Sequence, residues 1–242
     1  MVYHHWMHVS SADTAEQRRK GIAPVWHTCF LIAFVVVLAI DGLVVYQPVS
    51  PHRPVPFYLI GIGFEWLLFG YIWWGISLRE YPLSTLISRG RISWPQRDFV
   101  YGIGLWIIWY VVEALVALGL TWVGLAKSAS LRIVFPHGPV QITLWVILAV
   151  SSGFAEEIAF RGYLLQQFSR WTGSITVGVI LQALLFGFGH TYLGLREAVI
   201  ITVSGLVFGI FAAWLRNIRP LIITHAWADI FGGVLERGIP YK

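Results

Sequence analysis

The stretch SSGFAEEIAFRGYLLQQF, residues 151–168, lies at the end of an apolar run that begins near Val140. Glu156, Glu157 and Arg161 bring three full charges to a place where a membrane span is expected. A charge at the bilayer centre costs about 2.5–3.5 kcal/mol on insertion scales, so intramembrane charges are rare and usually face the interior of a bundle. The stretch therefore predicts a transmembrane helix that carries an inward-facing cluster of charges.

The composition of the whole chain agrees with a membrane protein. Of its 242 residues, 57% are hydrophobic and 12% are charged, whereas about a quarter of an average soluble domain is charged. The 17 Lys and Arg residues exceed the 12 Asp and Glu residues, and in a membrane protein this excess belongs mostly to loops near lipid headgroups. We therefore expect an integral membrane protein whose partner is the lipid bilayer, and we expect no nucleic-acid binding.

Apolar runs along the chain predict the number of membrane spans. A helix needs about 17–25 apolar residues to cross a bilayer. Candidate runs lie at 25–48, 56–78, 99–124, 140–167, 174–193, 196–215 and 219–236, and the last is the weakest. LSTLISRG, between the second and third runs, is predicted as a short interfacial helix. The predicted fold class is all-α, a polytopic transmembrane helical bundle of about seven spans, in a range of roughly six to eight.

The same pattern predicts how the chain is organised. Lys and Arg in short loops are biased towards the side that includes the N-terminus, which predicts a cytoplasmic N-terminus in the cell (inner) membrane. The predicted segments are a polar N-terminal cytoplasmic segment (1–24), N-terminal transmembrane helices and loops (25–138), a helical core (139–236) and a C-terminal tail (237–242). One helical bundle is the simplest organisation.

Helical spacing separates the three charges of the opening stretch. Residues four apart share a helix face, whereas neighbours point about 100° apart. Glu157 and Arg161 are therefore expected to form an ion pair, which suits the forked guanidinium of arginine. Glu156 lies outside that pair, and a free carboxylate beside a fixed ion pair suits general-base chemistry. The alternative is a salt-bridge cluster that only stabilises packing.

Two further runs carry polar residues at the same spacing. His190 follows Phe186 by four residues, and Asp229 follows His225 by four. Alone, His190 is typical of a membrane interface, and a His–Asp pair can orient an imidazole, bind a metal or form a local hydrogen bond. At about 1.5 Å per residue, Glu156 and His190 lie about 18 and 24 Å from the inner side, so the two side chains could converge.

Three other acids lie on the first three runs. Asp41 is near the end of its run and is predicted to be interfacial. Glu65 and Glu113 lie in the middle of theirs, where each could line a cavity or bond to a neighbouring helix. Packing is the favoured interpretation for both.

Taken together, the motifs EExxxR, FxxxH and HxxxD occur in this order at residues 156–161, 186–190 and 225–229. They resemble the CPBP family of intramembrane proteases, the CAAX-processing and bacteriocin-processing enzymes also called Abi. The resemblance covers about residues 140–236, so segment 139–236 is interpreted as a CPBP-like catalytic helical core. The resemblance implies an endopeptidase whose active site lies within the membrane.

The resemblance also implies a role for each motif residue. Glu156 would activate a water molecule with the help of His190. His225 and the residue four later would stabilise the oxyanion at the substrate carbonyl, and the ion pair would hold the geometry. Donors aimed at an oxyanion contribute several kcal/mol in characterised enzymes. The implied catalytic residues are Glu156, Glu157, Arg161, His190, His225 and Asp229.

Asp229 differs from the asparagine that commonly ends this motif in eukaryotic-type CAAX proteases. An ionised aspartate only accepts hydrogen bonds, so Asp229 would orient His225 or ligate a metal. Zn²⁺ could be held by Glu156, His190, His225 and Asp229, although the HExxH motif of many zinc proteases is absent. No cofactor is certain, and the choice between a glutamate-based and a metal-dependent mechanism stays open.

The resemblance implies only the class of substrate, a peptide or protein at the membrane that is prenylated or carries a leader. Two other functions stay open at this point. One is a small transporter or proton relay, since intramembrane Glu and His residues also serve that work. The other is a catalytically silent membrane immunity protein on the same fold. The sequence predicts no oligomeric state.

Overall fold

The computed structural model describes residues 20–44, 54–89, 95–125 and 135–235. The predicted N-terminal segment 1–24 lies almost entirely outside these residues, and the predicted tail 237–242 lies entirely outside them. The elements are α1 (Val25–Val44), α2 (Pro54–Ser77), α3 (Leu83–Ile87), α4 (Pro95–Trp122), α5 (Pro139–Glu156), a π-helix (Glu157–Leu164), α6 (Leu165–Thr172), α7 (Ile175–Phe188), a 3-10 helix (Thr191–Leu193), α8 (Leu195–Leu215) and α9 (Arg219–Leu235).

A helix forms in every predicted apolar run, so the prediction of an all-α membrane bundle is confirmed. Within the described part of the chain, five helical segments are long and apolar enough to cross a bilayer: Val25–Leu43, Val55–Ser77, Gln96–Trp122, Pro139–Thr172 and Leu195–Leu215. The remaining two long helices are shorter than the roughly 20 residues of a full span, since α7 has 14 residues and α9 has 17. The short helix predicted in LSTLISRG is also present, as α3.

The distribution of polar and apolar side chains is the reverse of that in a soluble protein. Large apolar side chains cover the outside, and Leu67 on α2 and Trp122 on α4 are 75% and 84% exposed. Charged side chains lie inside, where Glu157 and Arg161 are 0% and 2% exposed. Soluble domains bury charged side chains rarely and keep exposed apolar patches small. The chain is therefore an integral membrane protein whose outer surface contacts lipid.

Two close approaches between helices place the later motifs beside the charged helix. A Cβ on Gly153 of α5 would lie 2.8 Å from the backbone nitrogen of Ala226 on α9, so this position needs a residue without a side chain. A Cβ on Gly205 of α8 would lie 3.0 Å from Cα of Ala183 on α7. Helices in membranes use such small residues to bring their backbones together. As a result, α9 lies against α5, and α7 lies against α8.

A buried polar network attaches α1 to the π-helix and α6. Gln167 donates to the hydroxyl of Thr28 at 2.9 Å, and that hydroxyl lies 2.7 Å from the hydroxyl of Tyr163. Tyr163 in turn lies 3.0 Å from Nδ1 of His27, whose Nε2 is 3.0 Å from the carbonyl oxygen of Tyr71. Because a carbonyl only accepts, Nε2 of His27 carries the proton and Nδ1 accepts from Tyr163. Every group in this chain of contacts has a partner, so the network holds the N-terminal helix on the core.

Candidate active site

Glu156 is the last residue of α5 and lies where three helices meet. Its Oε1 is 4.0 Å from Nε2 of His190, and its Oε2 is 3.6 Å from Nε2 of His225. His190 follows the end of α7, and His225 lies within α9. Their depths along the chain allowed Glu156 and His190 to converge, and in the structure the two side chains lie close together.

The predicted ion pair lies directly beneath this cluster. Nη1 of Arg161 is 2.8 Å from Oε1 of Glu157, and both side chains are almost fully buried. The local helix differs from the α-helix that the spacing assumed, because residues from Glu157 onward form a π-helix. A π turn closes i→i+5 hydrogen bonds and so changes which side chains share a face, and such turns are frequent at functional sites. The helix that bears the charges thus changes winding right after Glu156.

Aromatic rings enclose the guanidinium of Arg161. Its Cζ lies 4.2 Å from the ring centroid of Phe186 and 5.3 Å from that of Phe208. A cation near an aromatic face is attracted by the ring quadrupole, and the attraction grows when water is excluded. The phenylalanine of the FxxxH motif therefore contacts the ion pair of the EExxxR motif, which explains why both motifs occur in one site.

Glu157 also positions His225. Oε1 of Glu157 is 2.9 Å from Nδ1 of His225, so the same carboxylate contacts both the histidine and Arg161. The other ring nitrogen, Nε2, faces Oδ2 of Asp229 at 3.6 Å. Asp229 itself accepts a hydrogen bond from the hydroxyl of Ser152 at 3.1 Å. The contact that orients the ring thus comes from Glu157, while Asp229 lies on the opposite edge of the imidazole.

His190 has a defined tautomer when it is neutral. Its Nδ1 lies 2.7 Å from the carbonyl oxygen of Phe186, which can only accept, so Nδ1 carries the proton. Nε2 is then left as an acceptor that faces Glu156 across 4.0 Å. That distance is too long for a direct hydrogen bond and suits a bridging water molecule.

Glu65 joins the site from α2, although the sequence favoured a packing role for it. Its side chain is 6% exposed and lies near the charged groups of Glu156, His225 and Asp229. The pattern that could have identified it is a lone acid in the middle of an apolar helix. The other two acids differ, since Asp41 on α1 is exposed and Glu113 on α4 is half-buried.

Two polar side chains at the site escaped the sequence motifs. Ser152, one turn before Glu156, contacts Asp229. The ring of Tyr192, in the 3-10 helix, stacks on His190 with centroids 6.0 Å apart. Serine and tyrosine are common in apolar helices and loops, so neither stands out in the sequence without a structure.

The site contains residue types that can ligate a metal ion. A catalytic zinc site uses three protein ligands at about 2.0–2.3 Å around one point. Among the residues that the structure describes, no three His, Cys, Asp or Glu side chains are grouped to hold a metal. A zinc role for the donor set Glu156, His190, His225 and Asp229 stays a prediction.

The fold and the site together define a polytopic membrane protein with a carboxylate–histidine cluster inside its helical bundle. Residues 138–231 match the family model described as Type II CAAX prenyl endopeptidase Rce1-like. The resemblance to the CPBP family is confirmed over this segment, which contains all three motifs. At the family level this match supports an intramembrane protease. Comparisons with curated proteins and with solved structures found no match.

Proposed function

We propose that the chain is an intramembrane endopeptidase that hydrolyses a peptide bond of a membrane-associated substrate. The observation that carries the proposal is the contact of Glu156 with two histidines inside a lipid-facing bundle, at 4.0 Å from His190 and 3.6 Å from His225. A carboxylate and histidines at such distances suit the activation of water and the stabilisation of charge. The family match of residues 138–231 supports the same conclusion.

Water activation follows from the hydrogen-bonding capacity of Glu156 and His190. An ionised Glu156 only accepts, and Nε2 of a neutral His190 also accepts. A water molecule between them would donate one proton to each and direct its oxygen lone pair at the substrate. As that oxygen bonds to the carbonyl carbon, its proton passes to Glu156. The same proton then goes to the leaving amine as the C–N bond breaks.

Oxyanion stabilisation is assigned to His225. With Nδ1 fixed by Glu157 at 2.9 Å, the Nε2–H of a protonated ring is free to donate to the substrate oxygen as negative charge develops. Asp229 at 3.6 Å stabilises this positive ring. No step of this proposed reaction uses a metal. Protein treated with a chelator and then dialysed is therefore expected to keep its proteolytic activity.

The proposed substrate is a membrane-associated peptide that carries a prenylated C-terminal cysteine motif. This class is supported by the description of the matching family and by the position of the site inside a bundle of apolar helices. Partners beyond the substrate and the bilayer are not proposed.

The proposal is tested with purified protein in proteoliposomes and an internally quenched, farnesylated CAAX peptide. Wild-type protein should cleave the peptide, and Glu156→Ala should abolish cleavage while the thermal unfolding midpoint in detergent stays close to that of wild type. Asp41→Ala, which removes an exposed acid from α1, is the matched control and should cleave normally. Cleavage by folded Glu156→Ala at the wild-type rate would falsify the proposal.

We also propose a cytoplasmic N-terminus in the cell membrane. Arg89, Arg170 and Arg216 come together at one end of the bundle: the backbone nitrogen of Arg89 donates to the carbonyl oxygen of Arg216 at 2.9 Å, and Arg170 and Arg89 both contact Tyr81. Burial lowers the pKa of Arg89 to about 10, and the charges of Arg170 and Arg216 act in the same direction. Concentrated positive charge is typical of the cytoplasmic side.

A further inference from the structure

His190 lies in a short link between two helices. Helix α7 ends at Phe188, and the 3-10 helix that follows begins at Thr191. The backbone of His190 has a φ of −107° and a ψ of 12°, close to a sparsely populated region in which many active-site residues lie. Its nitrogen donates to the carbonyl oxygen of Gly187 at 3.0 Å. A side chain that faces Glu156 is therefore carried by a segment with little regular helical support.

Thr191 attaches this link to α1. Its side chain is 4% exposed, and its hydroxyl group lies 2.8 Å from the carbonyl oxygen of Ala39 on α1 and 3.1 Å from that of Phe188. A hydroxyl group has one proton to donate, and the shorter distance is the one to α1. The hydrogen bond therefore joins the residue after His190 to a helix that lies 152 residues away in the chain.

The backbones of α1 and the link also meet at Gly42. A Cβ at this position would lie 2.7 Å from the backbone nitrogen of Tyr192 and 3.0 Å from Oγ1 of Thr191, so a side chain here would force a shift. The ring of Tyr192 in turn stacks on that of His190 at an interplanar angle of 28°. The opposite end of α1 is attached to the π-helix and α6 through the hydroxyl group of Thr28. Helix α1 is thus held at both ends and fixes the backbone that follows His190.

We propose that Thr191 is a positioning residue for His190: its hydrogen bond to α1 holds the imidazole where Nε2 faces Glu156. The role in catalysis rests on the proposed function, in which His190 accepts from the attacking water. The 4.0 Å between Nε2 and Oε1 of Glu156 accommodates one bridging water, so a small movement of the link changes the geometry of that water. Helix α1 lies outside the matched residues 138–231, so the motifs carry no signal for this contact.

Two substitutions at Thr191 separate the hydrogen bond from packing. Thr191→Ser keeps the hydroxyl group, so kcat for the farnesylated peptide should stay within about threefold of the wild-type value. Thr191→Val keeps the volume and removes the donor. Its kcat should fall about 10- to 100-fold, because displacements of about 1 Å in reacting groups have effects of that size. KM should change less than about twofold in both variants, because His190 is proposed to act on the water and not to bind the substrate.

Gly42→Ala tests the same contact from the other helix. The added Cβ pushes the link away from α1, so kcat should fall as it does in Thr191→Val. This variant decides the question if Thr191→Val does not fold, and a wild-type kcat in folded Gly42→Ala overturns the proposal.

Ser204→Ala is the matched control. Oγ of Ser204 accepts from the indole of Trp109 at 2.9 Å, a hydrogen bond that joins α8 to α4 and involves none of the site residues. Its loss should lower the unfolding midpoint about as much as Thr191→Val does, while kcat stays near the wild-type value. The proposal is overturned if Thr191→Val cleaves at the wild-type rate, if Thr191→Ser loses as much activity, or if Ser204→Ala lowers kcat equally.

Nuclear magnetic resonance of protein with ¹⁵N-labelled histidine tests the contact without any substrate. The ring signals of His190 are identified by their loss in His190→Gln, and in wild type they should report the neutral ring with the proton on Nδ1. Thr191→Val should displace these signals, and Thr191→Ser should leave them in place. Unchanged signals in Thr191→Val overturn the proposal.

The two measurements also separate this inference from the proposed function. If wild-type protein cleaves no peptide, the proposed function fails while the resonance measurement still decides the contact of Thr191 with α1. If Glu156→Ala abolishes cleavage and Thr191→Val does not lower it, only the present inference fails.

Discussion

The carboxylate of Asp229 shows how one side chain could tune the site. Its Oδ2 is 3.6 Å from Nε2 of His225 and accepts from Ser152, while its backbone oxygen accepts separately from the indole of Trp145 at 2.9 Å. A substitution of this side chain therefore leaves the backbone contact in place. Replacing the carboxylate of Asp229 by an amide can therefore show whether residue 229 acts through its charge or by donating a hydrogen bond to an oxyanion.

We predict that Asp229→Asn retains cleavage within about tenfold of wild type, because an asparagine amide can donate to the oxyanion in addition to accepting from Ser152. Asp229→Ala should lose more, about 100-fold or greater, since it removes both the charge near His225 and the acceptor for Ser152. The measurement is kcat/KM for the quenched farnesylated peptide. Equal activity of the asparagine and alanine variants would contradict a role for this side chain in the reaction.

At the scale of elements, the approach of α5 and α9 brings His225 to Glu156. Gly153 lies one turn before Glu156, and Ala226 lies next to His225 in the chain. A Cβ at position 153 would come within 2.8 Å of the Ala226 backbone, a contact that requires the helices to separate. Because the reacting groups must be held to within fractions of an ångström, a small separation affects chemistry more than folding.

We predict that Gly153→Ala lowers kcat about 10- to 100-fold while the protein still folds, because a shift of about 1 Å in reacting groups has effects of that size. Gly104→Ala on α4 is the matched control, since a Cβ there meets no atom within 4 Å. The control should match wild type in both kcat and unfolding midpoint. Wild-type activity in Gly153→Ala would show that the close approach does not position His225.

At the scale of the whole molecule, the proposed orientation places the loop before α5 outside the cell and the end of α6 inside. His137 and Thr172 are both exposed, and one lies on each of these two connections. The chain contains one cysteine, Cys29, so a Cys29→Ser background allows single cysteines to be introduced without interference.

We predict that a membrane-impermeant maleimide labels His137→Cys in intact cells and labels Thr172→Cys only after permeabilisation. We expect this pattern because positively charged segments are translocated less readily, so the end of the bundle that carries the arginine cluster should stay in the cytoplasm. Labelling of both positions in intact cells, or the reverse pattern, would contradict the proposed orientation.

Helical periodicity in the sequence was sufficient to predict the local features of this protein. The apolar runs predicted the helices, and the four-residue spacing predicted the ion pair between Glu157 and Arg161, which forms at 2.8 Å. These features depend on neighbours in the chain, and the geometry of one helix determines them. The family resemblance also followed from short motifs, and the match to residues 138–231 confirms it.

Contacts between distant segments could not be derived in this way. The sequence alone determined that the protein is a helical membrane bundle with Glu157 and Arg161 paired and Glu156 apart from them. Only the tertiary structure decided that Glu157 orients His225, that Glu65 lies near Glu156, and that a π-helix begins at Glu157. Helix periodicity determines which face of its own helix a side chain occupies. The residues that this face contacts depend on how separate helices pack. Glycines such as Gly153 permit close packing, but no local sequence pattern specifies which helices come together.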